Sequence, residues 1–201
     1  MKKIIVLIIG ILCCNNAISQ SAVTYYNRGN YKLNLTDFPG AILDFNKAIE
    51  LNPKDENSYI QRAKAKLGLK DYKAAILDYG EAIELNPKNA NPLIMRAEAK
   101  EGLKDYRGAI LDYTKAIELH PNTSFFYQLR GNAKLDLSDY RGAILDFDKA
   151  IESNPNDPYL YLYRGGAKQN LKNISGACLD WSRAGDLGYT PAYELIKKYC
   201  N

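Results

Sequence analysis

From Ser21 to Pro191 apolar and polar positions alternate with a helical period. In the segment that follows Asp71, apolar residues fall at Ala75, Ile76, Tyr79, Ala82 and Ile83. A spacing of i, i+1, i+4, i+7 and i+8 marks one stripe of a 3.6-residue helix, not the strict alternation of a half-buried strand. A second amphipathic run precedes each such stripe and carries a small residue at its centre: Gly29, Ala63, Ala97, Gly131 and Gly165. A small residue there lets two helix axes approach closely. Residues that favour the N-cap stand before every run. They are Ser21, Asp55, Asn89, Thr123 and Asp157 for the first helices, and Asp37, Asp71, Asp105, Asp139 and Asn173 for the second. Pro53, Pro87, Pro121 and Pro155 end the second helices, while Pro158 and Pro191 sit where a first turn tolerates proline. The pattern predicts five helix pairs and a short eleventh helix at 192–200, with Tyr193, Leu195, Ile196 and Tyr199 available to pack.

Every step between copies is 34 residues, with no insertion or deletion. The segment Asp71 to Tyr79 returns at Asp105 to Tyr113 and at Asp139 to Phe147, with an earlier copy from Asp37 and a degenerate one from Asn173. Besides the small residue of the first helix, each copy has an early alanine (Ala41, Ala75, Ala109, Ala143, Ala177) and an aromatic (Phe45, Tyr79, Tyr113, Phe147, Trp181). A later alanine follows (Ala48, Ala82, Ala116, Ala150, Ala184). Period and signature residues resemble the tetratricopeptide repeat. The resemblance implies an all-α solenoid, an α–α superhelix of five helix pairs at 22–55, 56–89, 90–123, 124–157 and 158–191, closed by a capping helix at 192–201. One pair cannot bury both its faces, so stability must come from stacking neighbours.

Three charges recur in all five copies. Arg28, Arg62, Arg96, Arg130 and Arg164 precede the small residue; Lys32, Lys66, Lys100, Lys134 and Lys168 follow it; Asp44, Asp78, Asp112, Asp146 and Asp180 lie in the second helices. Equal numbers in strict register favour an internal ladder of ion pairs over a cationic surface for an acidic ligand. A ligand would read what varies between copies. By the resemblance, the concave face is lined by first helices, and its variable positions include Tyr26, Asn30, Ile60, Lys64, Ile94, Glu98, Gln128, Asn132, Tyr159, Leu162 and Gln169. Amides, aromatics and one charge of each sign suit contact with a peptide or protein. Relatives that clamp the acidic tail of heat-shock chaperones need a set of Lys, Asn and Arg. The corresponding places here hold Tyr26, Asn30, Gln61, Asn91 and Met95, and only Asn30 fits.

The N-terminus changes the setting. Lys2 and Lys3, the apolar run Ile4 to Cys14 and the small residues Ala17 and Ser19 form a secretory signal over 1–19, with cleavage before Gln20. Eleven apolar residues are too few to span a bilayer, which needs about 20, so no membrane span is expected in the mature form. Formal charge is +4, and loss of Lys2 and Lys3 leaves 25 basic residues against 23 acidic ones. That near balance is too close to neutral to suggest electrostatic capture of nucleic acid or anionic membrane, and no nucleic acid partner is expected. Export leaves Cys178 and Cys200 as a disulfide candidate that would staple the capping helix to the last pair. The alternative is a small apolar filler and a terminal thiol. No catalytic constellation emerges, and no cofactor or metal is expected: the lone His120 stands in a turn slot held elsewhere by Asn52, Asn86 and Asn154. The expectation is an exported, non-catalytic scaffold of the Gram-negative envelope, periplasmic or secreted, that binds a peptide or protein. The alternative is a structural subunit of a permanent envelope assembly.

Overall fold

The computed structural model describes residues 21–200, and among these every regular element is a helix. The expected leader at 1–19 lies outside the described residues. The chain divides into two units after Pro92. The first unit holds α1 (21–34), α2 (Phe38–Leu51), α3 (Glu56–Gly68) and α4 (Tyr72–Leu85). α5 (Asn91–Gly102) spans the division. The second unit continues with α6 (Tyr106–Leu119), α7 (Ser124–Asp136), α8 (Tyr140–Ser153), α9 (Pro158–Asn170), α10 (Ile174–Asp186) and α11 (Ala192–Tyr199).

Within each unit the helices pair through the small residues read from the sequence. A Cβ placed on Gly29 would lie 2.6 Å from the Phe45 ring, and one on Gly165 would lie 2.6 Å from Trp181 Nε1. Those contacts are too short for any larger side chain, so the aromatic of the second helix fills the space that glycine leaves. The first unit packs Ala41, Phe45 and Ala65 with Tyr26, Leu33, Phe38 and Ile42. The second packs Ala143, Phe147, Ala150 and Leu160 with Tyr127, Leu135 and Ile151. Its last cluster sets Ala177, Trp181, Ala184 and Ala192 against Tyr161, Leu162, Tyr189 and α11.

Local caps explain the register. Asp37, Asp71, Asp105, Asp139 and Asn173 each accept a hydrogen bond from a backbone N–H three residues on, at 2.9 to 3.1 Å. The same residues close the preceding helix, since their own N–H donates to Lys32, Lys66, Lys100, Lys134 and Lys168 at 2.9 to 3.0 Å. The residue between is held at φ near +60°: Thr36, Lys70, Lys104, Ser138 and Lys172. This is the left-handed closure of a Schellman turn, built without the glycine or asparagine that usually signals it. Two expected caps differ. Ser21 already lies within α1, and Thr123 makes no side-chain capping bond, while the next residue, Ser124, donates its Oγ hydroxyl to the carbonyl of Ala150 at 2.8 Å. α5 starts two residues after Asn89, whose side-chain Oδ1 still accepts from the Asn91 N–H at 2.9 Å.

Candidate functional site: the first-helix face

The recurrent charges belong to the scaffold. In every copy the arginine forks onto the aspartate sixteen residues later: Arg96 Nε and Nη2 lie 2.9 and 2.7 Å from the two oxygens of Asp112. Lys100 Nζ reaches the same carboxylate at 2.6 Å. Arg62–Asp78–Lys66, Arg130–Asp146–Lys134 and Arg164–Asp180–Lys168 repeat the triad. Asp112 is 2% exposed, so its charge is held by two cations and by bidentate geometry rather than by water. The free edge of the guanidinium reaches back to the preceding second helix: Arg62 Nη1 to Asn46 at 2.7 Å, Arg130 Nη1 to Thr114 at 3.1 Å, Arg164 Nη1 to Asp148 at 2.6 Å. Tyrosine three residues earlier stacks on the guanidinium at Arg28, Arg62, Arg130 and Arg164. Three of these tyrosines also donate to a proline carbonyl of the preceding turn. The expected ladder is therefore present, and its cations are engaged inside the protein.

The varied positions fall into three groups. Ile60 and Ile94 are buried, 3% and 7% exposed, and belong to the apolar seam rather than to a contact surface. Tyr159, Leu162 and Gln169 are taken up by the C-terminal end. Tyr159 packs on Tyr189 with ring centroids 5.3 Å apart, Leu162 joins the Trp181 cluster, and Gln169 lies beside Tyr199 of α11. The remaining six retain surface. In the first unit these are Tyr26, Asn30 and Lys64, and Tyr26 lines a cavity of about 300 Å³ with Val23, Asn27, Asn52, Asp55 and Asn57. In the second they are Glu98, Gln128 and Asn132.

Around Glu98 the structure adds residues that the sequence reading did not single out. Glu101 lies one turn further along α5, Asp136 one turn beyond Asn132 on α7, and the Glu101 carboxylate feels the field of both Asp136 and Glu98. Burial pushes the Glu101 carboxyl above its usual range, Asp136 and Glu98 push it further, and only the Tyr113 hydroxyl opposes them. Tyr113 is fully buried, and its hydroxyl, without a partner in full hydrogen-bond geometry, sits beside Glu101. Burial first, and then Glu101 and Glu98, drive its phenol far above the usual range. Asn132 Oδ1 is likewise buried with no hydrogen-bond partner. Comparison of the copies could have found Glu101, which occupies the place of Leu33, Leu67 and Leu135.

Outer positions of the second helices show another regularity. Leu43 and Leu77 in the first unit are 67% and 71% exposed; Leu111, Leu145 and Leu179 in the second are 65%, 66% and 73% exposed. Near the C-terminus Cys178 and Cys200 face each other across α10 and α11, their Cα atoms 5.9 Å apart and their sulfurs at bonding distance. His120 is the exposed C-cap of α6, 6.3 Å from the Phe126 ring. Among the described residues no cluster of metal-ligating side chains occurs, and no helix is long and apolar enough to cross a membrane.

Family models for the tetratricopeptide repeat match residues 22–55, 56–89, 90–123 and 129–173. Among solved structures, the MamA protein is similar with a TM-score of 0.77 at 20% identity, over 90% of this chain and 96% of that one. YrrB, described as a TPR protein with an unusual peptide-binding site, gives 0.74 at 19% identity, over 88% and 92%. The first TPR of Spaghetti (RPAP3), solved bound to the HSP90 peptide SRMEEVD, gives 0.56 at 25% identity, over 60% and 95%. A search of curated proteins found no match.

Proposed function

The chain belongs to the tetratricopeptide repeat family, and we propose that it is a non-catalytic scaffold that docks a peptide or an extended protein segment on its first-helix face. Members of this family are typically interaction modules rather than enzymes. One observation carries the reading: the charges that repeat are consumed by internal pairs, whereas the first-helix face varies from copy to copy and keeps the Asn132 Oδ1 without a hydrogen-bond partner. A face that varies while its scaffold repeats is free to be specified by a ligand. YrrB is described as having a peptide-binding site and the Spaghetti module was solved with an acidic peptide; these neighbours support the class of partner. An acidic tail of that kind suits this chain poorly, since Glu98, Glu101 and Asp136 would repel it.

The leader read at 1–19 supports export to the envelope, periplasmic or secreted, and an oxidising compartment would let Cys178 and Cys200 stay bridged. The bridge then staples α11 over the final pair. A fixed structural subunit is the second reading, and the exposed leucines of the second helices favour it: a permanent neighbour would cover them. Cross-linking in intact cells separates the two. Docking predicts that the captured partner is lost when Gln128 and Asn132 are changed to Ala and is kept when Leu111 and Leu145 are changed to Ser. The opposite result establishes the subunit reading and ends the docking one.

A further inference from the structure

Copy comparison isolates one place where the repeat works against its own stability. Position by position, Leu33, Leu67, Glu101, Leu135 and Gln169 correspond. Leu33 and Leu135 pack on the core clusters of their units. In the third copy the same place holds a half-buried carboxylate. Its neighbours in the field are Asp136 and Glu98, and no cation is among the groups acting on it. Among the described residues none of the three carboxylates makes an ion pair, although ten cations of the ladder pair elsewhere. Beneath them lies the buried hydroxyl of Tyr113, and on α7 the unpartnered Oδ1 of Asn132 sits one turn from Asp136. A buried polar group without a partner is destabilising, and so is a desolvated carboxylate without a cation. The carboxylates and Asn132 belong to first helices of the second unit, with the Tyr113 hydroxyl of α6 buried beside Glu101, and the same kind of group would relieve both defects.

We infer that Glu98, Glu101, Asp136, Asn132 and the Tyr113 hydroxyl form a subsite for the cationic side chain, arginine or lysine, of a bound peptide. The inference rests on the docking reading and adds the chemistry of the partner. A guanidinium or ammonium has donors only, which suits a lining that offers carboxylates and an amide oxygen. Its single charge would offset part of the mutual repulsion of the three carboxylates, and at the half-buried Glu101 that attraction would be less screened than at an open surface.

The test is a selection of short displayed peptides on the purified full-length protein, followed by affinity measurements on variants. Enrichment of Lys- or Arg-containing sequences is expected. Replacing the basic residue by citrulline or norleucine should weaken them by about tenfold or more, the scale of a charge-assisted hydrogen bond. Glu101→Leu should weaken the same peptides to a similar extent while raising the midpoint of thermal unfolding by about 2–4 °C, because it restores the leucine of the other copies. Its loss of binding therefore cannot come from misfolding. Glu98→Gln combined with Asp136→Asn should weaken binding without lowering that midpoint. Enrichment of acidic or neutral peptides would overturn the cationic subsite and leave the docking reading standing. Basic peptides whose affinity stays within about twofold in these variants would do the same. Failure to enrich any peptide would end both.

Discussion

Glu101 and Asp112 are carboxylates eleven residues apart in the third copy, both withdrawn from water, and they are handled in opposite ways. Asp112 receives a forked arginine and a lysine within 2.9 Å. Glu101 faces two further carboxylates and a phenol. The first arrangement occurs in every copy, and the second is peculiar to the third. A buried charge that is neutralised within its own repeat serves the scaffold. A half-buried charge left unneutralised, at a place where three other copies have leucine and the fifth has Gln169, marks where something else must arrive.

The largest effect should come from breaking the compensated site. Asp112→Ala leaves Arg96 and Lys100 buried without their anion and should destabilise the protein by about 3–5 kcal/mol in denaturant titration. The double variant with Arg96→Leu should recover part of that loss, and additive effects would show that the pair does not act as a unit. The opposite sign is expected at the uncompensated site: Glu101→Leu should stabilise by about 1–2 kcal/mol, through apolar burial and relief of a desolvated charge. A destabilised Glu101→Leu protein would erase the contrast between the two carboxylates.

The first copy sharpens the comparison from the scaffold side. Arg28 pairs with Asp44 as its counterparts do, but its side chain is 54% exposed against 17–19% for Arg62, Arg96, Arg130 and Arg164. Water screens that pair more, so Arg28→Gln should lower the thermal midpoint less than Arg96→Gln does. Arg28 first, and Lys32 with it, holds the Asp44 carboxyl below its usual range against the opposing effect of burial. Its folded pKa is thus depressed, so its contribution is complete above the unfolded value near pH 4 and is lost as pH falls through the folded one. Carboxyl resonances followed by NMR below pH 4 should show Asp44 protonating at lower pH than a free aspartate. The smallest effect belongs to the turns: Lys104→Gly removes a side chain held at φ +61° and should stabilise by about 0.5–1 kcal/mol, read from the denaturation midpoint.

The helix pairs could be read from the chain because one physical unit is written five times, and its caps, small residues and aromatics each demand a residue type. The ladder was legible for the same reason, since three charges in register imply mutual neutralisation. The Schellman turns were hidden: Thr36, Lys70, Lys104, Ser138 and Lys172 are not residues that advertise a left-handed conformation. Variation proved a mixed guide to the site. At Ile60 and Ile94 it reflects seam packing, and at Tyr159 and Gln169 it reflects the cap, both fixed by tertiary contacts that spacing alone does not reveal. Glu101 escaped notice because three of its copies, Leu33, Leu67 and Leu135, are apolar and only Gln169 is polar; the informative variation was a loss of hydrophobicity, not a change among polar residues.

Mapping a bound peptide by NMR on the purified protein tests the central claim most directly. The account predicts that amide and side-chain shifts concentrate at Glu98, Glu101, Gln128, Asn132 and Asp136 and that the Tyr113 ring resonances move with them. Shifts confined to Leu111, Leu145 and Leu179 on the second helices would contradict it.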